Sequence, residues 1–285
     1  MSSTNPTNDQ ILGALEGSGF LFEQEVATTL ESYGFHVETS WPYLDPDTKK
    51  SREIDLRAIK NYLQDENNKL QVFVELLVEC KDSRAPLVFF ERRKNKRELE
   101  ASSPKEYIFP KKTYRQILSE NSYREVPAFV HLDLAPTHYY FQDSNKATQF
   151  TKIVRKGSNW VANHDGIYDS LFLPMAKVLE TRIKSIPKTH RPGEWCTVWL
   201  YFPVVVIRDH LISLSGNSEN HELIPKGRIS FVRNLDSDSL QGSYLVDFVT
   251  SEYLERYLDK DVGVFAKAVS DLASSSPSLL RGENA

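Results

Sequence analysis

Cysteine is scarce, with two in 285 residues, and two thiols cannot build a disulfide framework, so the chain reads as one made for a reducing, cytoplasmic compartment. Long apolar runs are missing too: the longest, Trp195 to Ile207, is too short to span a bilayer and contains Pro203, so it reads as a buried strand and no membrane association is expected. The first ten residues have neither a basic n-region nor an apolar h-region, which predicts no secretory signal. The glycines at 13, 17 and 19 are not followed by Gly-Lys-Ser/Thr, and there is no Gly-x-Ser-x-Gly or Cys-x-x-Cys. That excludes a P-loop, a hydrolase nucleophile elbow and a zinc ribbon. None of the seven histidines stands at zinc-ligand spacing, although His131 and His164 lie near acids. A net charge of −4 argues against binding nucleic acid through bulk charge.

What is present is an ordinary globular composition, 40% hydrophobic and 26% charged, long enough for one large domain. We expect residues 1–10 to be a disordered tail and residues 11–285 a single domain, with an insertion at about 84–160. The most informative stretch is a predicted hairpin from Ser51 to Lys81 with its turn in Asp65 to Lys69. Alternation puts Ile54, Leu56 and Ala58 on one face of the first arm and Glu53, Asp55 and Arg57 on the other. On the return arm Val72, Val74, Leu76, Val78 and Cys80 form an apolar face, opposite Phe73, Glu75, Leu77, Glu79 and Lys81. A turn centred near Asn67 pairs residues whose numbers sum to 134, so Asp55 faces Glu79 and Glu53 faces Lys81. Side chains paired this way stand about 5 Å apart, near enough for two carboxylates to grip one cation. Two such acids repel each other unless a metal or the adjacent Lys81 compensates. The bland alternative makes Glu53 and Lys81 a cross-strand ion pair and leaves Asp55 at a strand end.

An acid, a spacer and then Glu-x-Lys on adjacent strands resembles the PD-(D/E)XK nuclease superfamily. The preceding helix adds to the likeness through Phe22, Glu23, Val26, Ala27, Leu30, Gly34 and Phe35, over roughly residues 18–82. The residue before Asp55 is Ile54, where the superfamily's name implies proline. The resemblance implies an α/β fold: a restriction-endonuclease-like α-β-β-β-α-β core with a mixed central sheet flanked by helices, plus the insertion and extra C-terminal strands and helix. It also implies a magnesium- or manganese-dependent endonuclease acting on DNA, of restriction or defence type, in which Glu23 leans toward the metal. Asp55, Glu79 and the carbonyl of Cys80 would hold Mg²⁺ or Mn²⁺, and Lys81 would orient or deprotonate the attacking water. Two other functions stay open: a catalytically silent module of the same fold that binds nucleic acid or protein, and a junction resolvase or repair nuclease. A homodimer is expected, because cutting two strands with one site per chain takes two copies.

Basic residues supply candidate phosphate contacts. Lys49 and Lys50 lie just ahead of the Asp55 strand. From Arg92 to Arg115 there are nine Lys/Arg against three Glu, interleaved with Tyr107, Phe109 and Tyr114. Arg92, Arg93, Lys111 and Lys112 are therefore expected on the rim of the same cleft, unless the run is simply a solvated face. The Asp45-Pro-Asp47 stretch reads as a turn rather than further metal ligands. Beyond the hairpin we expect short strands near Ala128 to His131 and His138 to Phe141. A helix from Ile167 follows, either whole or split at Pro174, then a strand bent at Pro203 and strands at Arg228 to Arg233 and Ser243 to Val249. An amphipathic helix over Tyr253 to Leu272 and a loose tail from Ser274 complete the reading.

Overall fold

The hairpin closes because Asp65 accepts the backbone N–H groups of Asn67 and Asn68, each at 3.0 Å, an Asx turn that fixes where the chain reverses. In this computed structural model, which describes residues 5–100, 103–187, 194–216 and 221–281, the arms are strands β2 (Ser51–Asp65) and β3 (Leu70–Lys81), with β1 (His36–Leu44) on the outer edge. The pairs Leu56–Val78 through Asn61–Phe73 keep the sum of 134, and a bulge after Asn61 shifts the remainder by one.

The chain then builds β4 (Leu87–Arg93), β5 (Tyr107–Ile108), a separate hairpin of β6 (Thr113–Ser119) and β7 (Ser122–Pro127), β8 (Asn145–Lys156) and β9 (Asn159–Asn163). Next come β10 (Cys196–Ile207), β11 (Leu211–Gly216), β12 (His221–Pro225), β13 (Arg228–Asp236) and β14 (Gln241–Thr250). Twelve strands form one mixed sheet in the order β1-β2-β3-β10-β14-β13-β8-β4-β11-β12, with β5 and β9 at its sides. The helices are α1 (Asn8–Glu16), α2 (Phe20–Ser32), α3 (Ile167–Ser185) and α4 (Gly263–Ser275), the last continuing a π-helical segment at Tyr257–Val262. The fold is thus α/β, a large mixed sheet flanked by helices.

Strand β3 is apolar on both faces because both are covered. Val72, Val74, Leu76 and Val78 pack with Phe22, Val26 and Leu30 of α2 and with Phe265 and Val269 of α4. Leu77 faces Phe172, Met175 and Leu179 of α3 on the other side. β10 runs parallel to β3 from Cys196–Leu70 to Ile207–Lys81, as a strand-helix-strand crossover through α3 requires.

Several expectations need correction. Ile54 does not share a face with Leu56 and Ala58: it packs in the α3-side core, they in the α2-side core. The switch lies at Ser40 and Asp55, between the pairs Thr39–Leu56 and Trp41–Ile54. Ser40 has φ +49°, a left-handed kink that twists both strands over together. Pro203 does not bend β10. The Tyr201 N–H goes to the Glu106 carbonyl and pairing with β14 starts at Val204, so proline sits where one neighbour hands over to the next and its missing donor is not needed. α3 runs unbroken through Pro174.

Ala128–His131 and Tyr139–Gln142 are helical turns rather than strands. Asn8–Glu16 is a helix started by a Thr7–Gln10 capping box, so the expected disordered tail does not extend to residue 10; residues 1–4 lie outside the described set. The tail expected to be loose contains a short helix at Pro277–Arg281. Asp45 does turn duty, accepting the N–H groups of Asp47 and Thr48 and pairing with Lys177 at 3.0 Å. Burial pushes its carboxyl up, but these partners outweigh that and hold it at about 2. No helix among the described residues is long and apolar enough to cross a membrane.

Candidate active site

Asp55 falls at the point where β1 and β2 change faces, so neither core claims its side chain. It turns instead toward β3, where Oδ2 accepts the Cys80 N–H at 2.6 Å. Alternate backbone groups of a strand point to opposite neighbours. The Lys81 carbonyl is taken by Arg208 N–H on the β10 side, so the Cys80 carbonyl faces the β2 side, where Asp55 lies. Lys81 Nζ donates to Glu79 Oε1 at 2.5 Å, while Glu53 is exposed. The ion pair at this end of the hairpin is therefore Lys81 with Glu79, not Lys81 with Glu53.

Glu23 comes from the first turn of α2, held there because Phe22, Val26, Ala27 and Leu30 anchor that helix on the sheet. It is half-buried, whereas Glu25 points outward. Glu25 meets Arg208, which the sequence reading missed. The Arg208 guanidinium bonds Glu25 at 2.5 Å and Asp82 at 3.1 Å and lies 4.2 Å from the Phe22 ring centroid. This clamp ties the start of α2 to the end of β3, and so holds Glu23 against the Asp55–Lys81 end of the hairpin. Its only signal in the sequence is position, as the first charged residue after the most apolar strand.

The three acids feel one another. Burial raises the Glu79 carboxyl to about 7, with Asp55 adding to the effect and Lys81 opposing it. Burial likewise raises Asp55, against the Cys80 amide and Lys81. It raises Glu23 too, helped by Asp55 and opposed by Lys81. For Lys81 burial acts downward, but Glu79 and Asp55 outweigh it and the ammonium stays protonated. Burial drives the Cys80 thiol far up, so its sulfur remains an apolar core group. The cluster is thus three carboxyls around one ammonium, short of positive charge.

Among the described residues no group of three or more His, Cys, Asp or Glu side chains is arranged to hold a metal ion. A hard cation can be held by fewer side chains, taking two carboxylates and a carbonyl and keeping its waters. Oδ1 of Asp55 and Oε2 of Glu79 have no hydrogen-bond partner among the described residues, so Asp55, Glu79 and the Cys80 carbonyl remain the candidate donors.

The basic residues do not gather as expected. Lys49 and Lys50 stand six and five residues ahead of Asp55 in the β1–β2 turn, within about 20 Å of it along extended chain. Lys112 lines a cavity with Thr197 and Ile183, and Thr197 pairs with Gln71. Gln71 lies ten residues down β3 from Lys81, so Lys112 and the neighbouring Lys111 are on the order of 30 Å from the site. Arg92 and Arg93 pair with Lys146 and Asn145 of β8, at the end of β4 away from Leu87. Lys111 and Lys112 therefore do not share a rim with the acids; Arg92 and Arg93 stand at the Asn145 end of the β4–β8 pair.

The charge shortage has a measurable consequence. A carboxyl raised from 4.5 to about 7 keeps its proton in the folded state through a range where the unfolded chain has lost it. Its contribution to stability is therefore full below about pH 4.5 and is lost as pH rises through 7, a swing of about 3 kcal/mol. Urea unfolding of the metal-free protein should show stability falling between pH 5 and pH 8, and Glu79→Gln should flatten most of that fall. An unchanged slope in the variant would mean that Glu79 is not the group responsible.

Neither a protein-family model, a curated protein nor a solved structure matches the chain.

Proposed function

We propose that the chain is a metal-dependent nuclease that hydrolyses phosphodiester bonds in DNA. The observation that carries this reading is the meeting of Glu23, Asp55, Glu79 and Lys81 at one end of β2 and β3, three carboxyls with raised pKa values beside a single half-buried ammonium. Structural ion pairs tend toward neutrality, whereas an excess of acid withdrawn in part from water marks a place prepared for a cation. With β4 to β9 set aside as an insertion between β3 and α3, the remaining elements α2, β1, β2, β3, α3 and β10 follow the α-β-β-β-α-β order that the resemblance to PD-(D/E)XK enzymes implies.

A magnesium or manganese ion held by Asp55, Glu79 and the Cys80 carbonyl would neutralise charge on the phosphoryl oxygens and lower the pKa of bound water. Lys81 keeps its proton at neutral pH and places an ammonium beside that position, where it can orient the attacking water and offset charge that develops during reaction. Glu23, half-buried and in the first turn of a helix, can accept a proton or hold a water. The Arg208 clamp fixes where Glu23 stands. The test is hydrolysis of DNA that requires Mg²⁺ or Mn²⁺ and is lost on substitution of Asp55.

The closed Lys81–Glu79 pair supports a second reading, in which the same fold binds nucleic acid without cutting it; metal-dependent nicking of a supercoiled plasmid separates the two.

Binding should follow the positions of the basic residues. Lys49→Glu combined with Lys50→Glu should weaken DNA binding and reduce its salt slope by about 2, near one per lost phosphate contact. Lys111→Glu combined with Lys112→Glu should leave both unchanged, since these residues lie far from the carboxyls. The reverse pattern would place the DNA at the opposite end of the sheet.

A further inference from the structure

Beside Lys81 the surface opens into a cavity of about 330 Å³ that the reading so far does not use. One side of it is aliphatic, made by the buried side chains of Leu87, Ile167, Leu171 and Ile207. Lys81 and Lys152 line it as well. Lys152, on β8 between its partners Leu87 and Asn163, makes no ion pair among the described residues. Asp165 lines it too, from an exposed position, so the hollow combines aliphatic groups with two ammonium groups and one carboxylate, and it adjoins the proposed reaction centre.

A phosphate backbone calls for ammonium groups and N–H donors, not for an aliphatic floor. The volume is at the small end of ligand pockets, near the ~300 Å³ that suits one compact molecule. A base inside a duplex is stacked and paired, so it reaches such a hollow only when unpaired or swung out of the helix. We infer that this cavity is a subsite for one unpaired nucleotide next to the scissile phosphate, its base against the aliphatic side and its phosphate toward Lys152. The inference rests on the nuclease reading for the word "scissile", though the cavity's ligand can be tested without it. It narrows the substrate class to nucleic acid with an unpaired or extruded nucleotide at the cut.

Ser170 lines the same cavity from an exposed position on α3, so Ser170→Trp fills the hollow from a position that itself belongs to neither core nor the carboxyl cluster. Retained far-UV circular dichroism would confirm that the variant folds. In the first arm, metal-free protein is titrated by NMR with a deoxynucleoside 5′-monophosphate and, separately, with inorganic phosphate. The nucleotide should bind more tightly than phosphate, and Ser170→Trp should weaken it at least about ten-fold, the loss expected when one base contact is removed. Lys152→Ala should weaken both ligands. In the second arm, a duplex with a single unpaired nucleotide is compared with a fully paired duplex in Mg²⁺. The wild-type protein should prefer the first, and Ser170→Trp should erase the preference while still cutting.

The two readings fail differently. No cleavage by the wild-type protein, with nucleotide binding that Ser170→Trp removes, sinks the nuclease and leaves the subsite. Equal cleavage of both duplexes by both proteins, with nucleotide bound no better than phosphate, overturns the subsite and leaves the nuclease.

Discussion

Asp55→Ala and Glu79→Ala should each reduce Mg²⁺-dependent DNA cleavage by at least about a thousand-fold, while the fold and DNA binding survive. The size follows from what is removed: charge neutralisation at a phosphoryl group supplies several kcal/mol to the transition state, and each 1.36 kcal/mol is a factor of ten. Binding should be retained or tighten, because a carboxylate taken from a metal-free cleft no longer repels the phosphate backbone. Glu79→Ala should also remove a buried acid that holds its charge only with difficulty, so that variant should be no less stable at pH 8. Lys81→Ala should slow cleavage by about a hundred-fold, as loss of a positioned proton-handling group does, without abolishing binding of the cation. It should also move the acidic limb of the pH–rate profile upward, since Lys81 is what lowers the Glu79 carboxyl against burial. If the wild-type protein hydrolyses no DNA or RNA with Mg²⁺ or Mn²⁺, and calorimetry detects no metal binding, the nuclease reading falls and the non-cutting module takes its place.

The register that pairs Leu56 with Val78 through Asn61 with Phe73 could be read from the sequence because it depends only on alternation and on a turn rich in Asp and Asn. The face switch at Ser40 and Asp55 could not, since alternation assumes a steady twist and nothing in Thr39-Ser40-Trp41 announces a positive φ. Short segments failed for a related reason. Ala128 to His131 and His138 to Phe141 are apolar and aromatic, a composition shared by buried strands and buried helical turns when only four residues are available to show a period.

The basic run misled most, because charge in a sequence carries no depth. Lys94 is buried, donates to the carbonyl of Asp143 at 2.7 Å, and burial brings its pKa down to about 8. Lys105 meets Glu180 at 2.6 Å. Lys94 thus ties one part of the insertion to another and Lys105 ties the insertion to α3, and both are unavailable to phosphates. The cavity beside Lys81 had no signal at all, since its lining comes from β3, β4, β8, β10 and α3, which only the fold assembles.

Glu75→Ala should be the most destabilising single substitution on β3, at about 3–5 kcal/mol, the range seen when one member of a buried ion cluster is removed. Glu75 is 0% exposed and is gripped by two guanidinium groups. Arg182 of α3 donates to its oxygens at 2.7 and 2.9 Å, and Arg57 of β2 at 2.8 and 3.3 Å. Arg57 reaches on to Glu38 of β1 at 2.6 Å, and the Trp41 ring lies 5.0 Å from one guanidinium and 5.5 Å from the other. One carboxylate thus joins three strands to the helix that covers them, four residues before Glu79.

Without Glu75, two half-buried cations face each other with only Glu38 left to pair one of them. For Arg57 burial alone would lower the pKa, and it is Glu75 first and then Glu38 that reverse this. A thermal or urea unfolding curve should show the loss as a fall in Tm on the order of 10 °C. Replacing all three members together, Glu75→Leu with Arg57→Met and Arg182→Met, should restore most of it, because apolar groups of similar volume need no partner. A loss below about 1 kcal/mol in Glu75→Ala would instead be the behaviour of a solvent-screened pair. It would show that water reaches the two arginines and that the β1–β3 shoulder beneath the acid cluster is held by packing alone.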